Sequence, residues 1–278
     1  MTASAIATSA AAAARVGGVV PIGWPQLLLA SMFVVVTGAL ALWMQLGVTK
    51  QLAIAAARTY VQLLLLGLVL VWVIRFNQWW AVVGILVIMI VAAANVILRR
   101  APDAPGGLFL TSVVSMAVTG LTVTFAVTGL VIGANPWYDA LTVIPIAGMV
   151  IGNSMTGVAL SLERVFADMD SRAGEIRTMT ALGATAWEAA HPSVRTALRA
   201  GLIPTINSMA AAGLVFIPGM MTGQILAHAD PLLAAKYQIV VMLMVAAAEI
   251  MGAVLAVLLS YRRRFDREGI FLEKGMRP

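Results

Sequence analysis

Apolar residues in this chain gather into long runs separated by short polar or basic stretches: Pro25–Leu46, Leu52–Ile74, Trp79–Leu98, Leu108–Gly133, Leu141–Leu162, Gly201–Ala227 and Tyr237–Ser260. A helix rises about 1.5 Å per residue, so about 20 apolar residues cross about 30 Å of hydrocarbon. The runs therefore predict an all-α, polytopic membrane protein with about seven transmembrane helices. The strict alternation over short segments that a membrane β-barrel needs is absent. The pattern lapses over Arg164–Ala200, which carries five arginines and is predicted to leave the membrane.

Within that excursion Ile176, Met179, Leu182, Ala186 and Trp187 fall on one stripe of a helix from Ser171 to Ala190, interrupted at Gly183. His191-Pro192 is expected to break it before a second helix returns to the membrane. A helix–turn–helix at the membrane surface suits docking of a partner protein. It equally suits burial of Trp187 among lipid headgroups.

Composition agrees with the runs: 61% of the 278 residues are apolar and 11% charged, against about 25% charged in ordinary soluble domains. Charge adds orientation, because cytoplasmic loops retain Lys and Arg. With the N-terminus outside, only Arg15, Arg75 and Lys236 of the 18 basic residues fall on the outer side. The rest lie on or near the inner side, which supports an odd number of spans and a cytoplasmic C-terminus. Trp24, Trp79, Trp80, Trp137 and Tyr138 then sit at outer ends, as an aromatic belt requires. The net charge of +6 reflects this topology and not nucleic-acid binding, since the basic residues are dispersed over several loops.

Three regions follow: residues 1–24, an Ala-rich extracytoplasmic tail without the basic start of a cleaved signal; residues 25–261, the membrane domain with its excursion at 164–200; and residues 262–278, a basic cytoplasmic tail.

Chemistry is bounded next. No phosphate-cradling G-x-x-x-x-G-K-[ST] is present and the three lysines, Lys50, Lys236 and Lys274, lack a glycine loop, so the chain does not hydrolyse ATP by itself. Cysteines are absent, which excludes disulfides and thiolate metal sites. His191 and His228 lack carboxylates at metal-ligand spacing.

Polar positions inside the apolar runs remain. Pro145, Gly148, Gly152 and Gly157 are expected to interrupt the fifth span or to let a neighbour approach closely, and Asn153, Ser154 and Thr156 to line a dimer seam or a pathway. Plain helix packing through Gly148 and Gly152 is the simpler alternative. Pro218-Gly219 predicts a second break, beside Met220, Met221 and Gln224. Those methionines, with Met149 and Met155, offer soft thioethers, although methionine more often fills gaps in packing. Glu249 lies twelve residues into the last run; a charge at that depth costs about 2.5 to 3.5 kcal/mol. It either serves a cationic cargo, with Asn153 and Gln224 as further oxygen donors, or pairs with Arg58, which enters the second run beside Gln62.

"ALGATAWEAAHPSVRTALRAGLIP" is similar to the coupling loop of ABC transporter permeases. That resemblance nominates Glu175, Leu182, Gly183, Ala184 and Trp187 for contact with an ATPase. Importers place Glu-Ala-Ala six residues before the glycine, whereas Glu175 stands eight before Gly183, a departure from the importer pattern. Together with "ARTYVQLLLLGLVL", "IPIAGMVIGNSMTGVALSLERV", "RTMTALGAT", "FIPGMMTGQIL" and "KYQIVVMLMVAAAE", the chain resembles the FetB family of iron-export ABC permeases, which includes plant aluminium-tolerance half-transporters. The resemblance implies a permease homodimer in the plasma (inner) membrane. A separately encoded ATPase would carry ATP-Mg; the chain itself would need no cofactor. It would transport iron or another metal ion and would not be an enzyme. An ATP-independent carrier using Glu249, or an ABC permease for a small organic solute such as a nucleotide-sugar, are the alternatives.

Overall fold

The computed structural model describes residues 23–101, 105–266 and 268–272. Most of the expected N-terminal tail, and residues 273–278 of the basic tail, lie outside them. With no water in the hydrocarbon to satisfy backbone groups, the apolar runs form helices. In chain order these are α1 (Trp24–Trp43), α2 (Thr49–Phe76), α3 (Trp79–Arg100), α4 (Leu108–Ala126) and α5 (Ala140–Ser171), then α6 (Ala173–Ala181), α7 (Ala186–Ala211), α8 (Gly219–Leu226) and α9 (Pro231–Ser260). A π-helical turn, Val127–Ile132, extends α4, and a 3-10 turn, Tyr261–Arg264, follows α9.

Two units are distinguished. The first holds α1, α2, α8 and the start of α9. Here α1 and α2 pair antiparallel: the Tyr60 hydroxyl donates to the Leu27 carbonyl at 3.1 Å and lies 2.6 Å from the Ser31 hydroxyl. Nearly all their apolar side chains face outward, as for helices bathed in lipid.

The second unit holds α3 to α7 and the rest of α9, with α5 at its centre, packed against α3, α4 and α7. Val143, Ala147, Val150, Val158, Leu162, Val165 and Phe166 form the buried face of α5. Asp139 caps it, its carboxylate accepting from the Thr142 amide at 3.1 Å and hydroxyl at 2.6 Å. α9 crosses this core at Gly252, where an added Cβ would stand 3.2 Å from Val158 and 3.3 Å from Met116.

Three expectations are corrected. Pro145, Gly148 and Gly152 do not break the fifth span, because α5 is continuous from Ala140 to Ser171. Pro145 sits in its second turn, where one lost amide donor is a small defect beside the packing of a whole buried face. His191-Pro192 does not break the excursion either. The break falls at Leu182–Thr185, where Gly183 takes φ +94 and Thr185 starts α7 with a capping box: its hydroxyl accepts from the Glu188 amide at 3.2 Å, and Glu188 accepts from the Thr185 amide at 2.8 Å. That pair nucleates a helix that carries Pro192 and Pro204 inside it.

Finally, the run Gly201–Ala227 is not one helix. Among the described residues six helices are long and apolar enough to span a membrane on their own. The seventh run is divided between the end of α7 and the short α8 by Ala212–Pro218, with Gly213 at φ +80. At the end of the unit where α5 finishes, Arg264 donates to Asp170 at 2.8 Å, Arg263 donates to the Gly106 carbonyl at 3.0 Å, and Tyr261 meets Trp187 at the start of α7.

Candidate functional site

The turn whose sequence resembles a coupling loop is built from α6, the loop Leu182–Thr185 and the first turns of α7. Its underside is fixed: Ile176 is fully buried, and the Arg172 guanidinium binds Glu175 in bidentate fashion at 2.9 and 2.5 Å while donating to the Ser193 hydroxyl of α7 at 3.1 Å. Hydrogen bonding to Arg172 holds the Glu175 carboxyl below its ordinary range, and the Thr185 amide does the same for Glu188. Glu175 thus braces the turn while its own side chain stays 54% exposed. The outer side is bare: Leu182 is 83% exposed, nothing approaches Gly183, and Trp187 is 40% exposed although its ring meets His191 at 5.1 Å and Tyr261 at 5.5 Å. Leu182 therefore leaves the stripe that buries Ile176, because the helix ends before completing it. Ala184 is half-buried behind this edge.

A second polar centre lies deep in the same unit. Glu249 of α9 is 3% exposed, and the Thr205 hydroxyl of α7 donates to its carboxylate. Its carboxyl occupies the space that a side chain at Gly157 of α5 would need. One turn along, Gly201 of α7 packs on α5 so closely that a Cβ would collide with the Ser161 hydroxyl and stand 2.9 Å from the Gly157 carbonyl oxygen. Ser161 and Ser154, on the same face of α5, are buried with no hydrogen-bond partner among the described residues.

The predicted polar residues of the fifth span separate by helical period. Asn153 and Thr156 lie on the exposed face beside Gly152 and turn back onto their own helix, Asn153 donating to the Met149 carbonyl at 2.7 Å and Thr156 to Gly152 at 3.5 Å. Ser154, about 100° around the helix, faces inward. Gly148 has only the Met89 methyl near it, at 3.4 Å, and Gly152 nothing, so the close helix seam runs through Gly157 and Gly201 instead. Arg58 and Gln62 are exposed, one turn apart on α2, and Met220, Met221 and Gln224 are half-buried on α8, all in the first unit. Pro218 and Gly219 stand where α8 begins. Thr205, Ser161 and Gly201 were not signalled by sequence; a hydroxyl meeting a carboxylate 44 residues away leaves no local pattern. Among the described residues no three His, Asp or Glu side chains converge, so a cation here would meet one carboxylate and neutral oxygens.

A family model described as "Uncharacterised protein family (UPF0014)" matches residues 24–265. This chain belongs to the UPF0014 family. It is 36% identical to a UPF0014 membrane protein of Synechocystis sp. over 88% of this chain and 93% of that protein. To the Escherichia coli protein named "Probable iron export permease protein FetB" it is 33% identical, over 87% and 92% of the two chains. To the Arabidopsis thaliana "Protein ALUMINUM SENSITIVE 3" it is 30% identical, over 80% of each. No solved structure matches it. The UPF0014 chain is thus a helical membrane protein with a permease among its relatives.

Proposed function

We propose that this chain is the membrane-spanning subunit of an ABC exporter for a metal cation, working as a homodimer with a separately encoded ATPase that binds ATP-Mg. The observation that carries this reading is the coupling turn. Its exposed Leu182, Gly183 and Trp187 stand at the head of α7, a single helix that runs from the turn to Thr205 and the buried carboxyl of Glu249. An aromatic anchor on a braced turn suits insertion into a groove of another protein, since such anchors dominate interface energy. Arg172 and Arg177 beside and within α6, and Arg195 and Arg199 within α7, favour a cytoplasmic position for the turn, with the N-terminus outside and the protein in the inner membrane. The name of the E. coli relative supports export of iron; for this chain a metal-ion cargo rests on that likeness and on Glu249.

Gly183→Asp tests the reading. Aspartate tolerates positive φ better than most residues, so the permease should fold, yet the added charge should abolish co-purification of the ATPase. Undiminished co-purification in Gly183→Asp and in Trp187→Ala would return this segment to a lipid-surface helix.

A further inference from the structure

The seam between α5 and α7 is lined by backbone and oxygen where most helix seams are lined by aliphatic side chains. At one level Glu249 of α9 rests against Gly157 and accepts from the Thr205 hydroxyl. One turn nearer the coupling end Gly201 rests on Gly157 and Ser161, whose hydroxyl is fully buried without a partner among the described residues. Such a group is costly in an apolar interior unless something else binds it. No cation neutralises Glu249 from the elements around it. On α5 the nearest charges, Glu163 and Arg164, are exposed six and seven residues beyond Gly157; on α7 Arg199 is exposed six residues before Thr205; α4 has none, and on α9 Lys236 is thirteen residues away. Pro204, next to Thr205, removes the helical donor to the Ala200 carbonyl, so α7 is weakest beside the contact.

From this geometry we infer that Glu249, Thr205 and Ser161 form an occluded site for a hard, oxygen-seeking divalent cation, and that Thr205 closes it. The carboxylate supplies the charge, and the two hydroxyls supply neutral oxygen ligands of the type such cations take. Besides lending an oxygen, Thr205 is the latch of the site: while its hydroxyl donates to the carboxylate the site is shut, and a displacement of α7 at the coupling turn withdraws it. Gly157 and Gly201 allow the seam to part without moving a side chain. The inference rests on the transporter reading, because the docked ATPase is what displaces α7.

The test uses the purified full-length permease in lipid nanodiscs, N,N′-dicyclohexylcarbodiimide as a carboxyl reagent for apolar surroundings, and Mn²⁺ as the cation. Modification of Glu249 is read by peptide mass spectrometry. Mn²⁺ is expected to protect Glu249 in the wild type, and Ser161→Ala to require several-fold more Mn²⁺. Thr205→Val should be modified about tenfold faster, the scale set by losing one hydrogen bond to a charged group, and Thr205→Ser should return to the wild-type rate. Absence of Mn²⁺ protection in the wild type, which needs no variant to fold, overturns the site. Equal rates in Thr205→Val and wild type overturn the role of Thr205. Loss of protection with the ATPase still co-purifying removes this site alone, whereas protection without any ATPase binding keeps the site and removes the transporter reading.

Discussion

Gly201→Ala is the smallest change that probes the α5–α7 seam. The new methyl would collide with the Ser161 hydroxyl and stand 2.9 Å from the Gly157 carbonyl oxygen. The serine can rotate away, but the carbonyl belongs to the α5 backbone and cannot, so the helices must separate. Overpacking of this kind costs about 1 to 3 kcal/mol, and the gain in helix propensity from Gly to Ala returns about 0.5 to 1 kcal/mol. The net is a loss of up to about 2.5 kcal/mol, with a central value of about 1 kcal/mol. Gly67→Ala on α2 is the control, since nothing lies within 4 Å of its Cβ, and it should leave stability unchanged or slightly raised. Reversible unfolding by SDS titration, followed by tryptophan fluorescence, measures both. Adding Ser161→Gly to Gly201→Ala should recover only part of the loss, because the backbone contact remains. If Gly201→Ala is as stable as Gly67→Ala, the close seam does not exist and α7 is not held to α5 as described.

Two further outcomes follow from the end of the second unit where α5 finishes. Arg264, its side chain 5% exposed and stacked 5.7 Å over Phe166, is bound to Asp170 at 2.8 Å; Asp170→Asn removes one charged partner of that guanidinium and should cost about 1 to 3 kcal/mol in the same titration, less than a fully buried pair because Asp170 is partly hydrated, and a change below about 0.5 kcal/mol would show the pair to contribute little. Glu175 and Glu188 both titrate below their ordinary range when folded, so their stabilisation is intact above that range and is lost as pH falls through their lowered values; amide exchange over residues 185–189 should therefore quicken relative to the intrinsic rate below about pH 4, and a protection factor independent of pH would refute the capping role.

The long helices were legible because the hydrocarbon imposes one requirement on sequence, a run of apolar residues long enough to cross. The coupling turn was legible in part. Thr185-x-x-Glu188 spells a capping box, and Gly183 supplies the positive φ that ends α6, yet Pro192 outweighed them in a reading based on local breakers. Pro145, Gly148 and Gly152 suggest breaks that α5 does not make, because propensity is weak against packing on a buried face. Glu249 stood out by its charge, but its partner could not, since Thr205 reaches it from another helix and the glycines that let it in, Gly157 and Gly201, look locally like any small residues in a membrane helix.

The central claim is that the coupling turn docks an ATPase that moves α7. The chain has no cysteine, so Leu182→Cys, Trp187→Cys and, in the segment between α8 and α9 that the charge pattern predicts to lie outside, Ala229→Cys each give one reactive thiol in the permease. Inside-out vesicles holding the permease and a lone ABC ATPase from the same genome would be treated with a short thiol-to-amine crosslinker, with and without ATP-Mg. The account predicts permease–ATPase adducts from Leu182→Cys and Trp187→Cys, changing in yield with ATP-Mg, and none from Ala229→Cys. Adducts absent at both turn positions, or equal from Ala229→Cys, would contradict it.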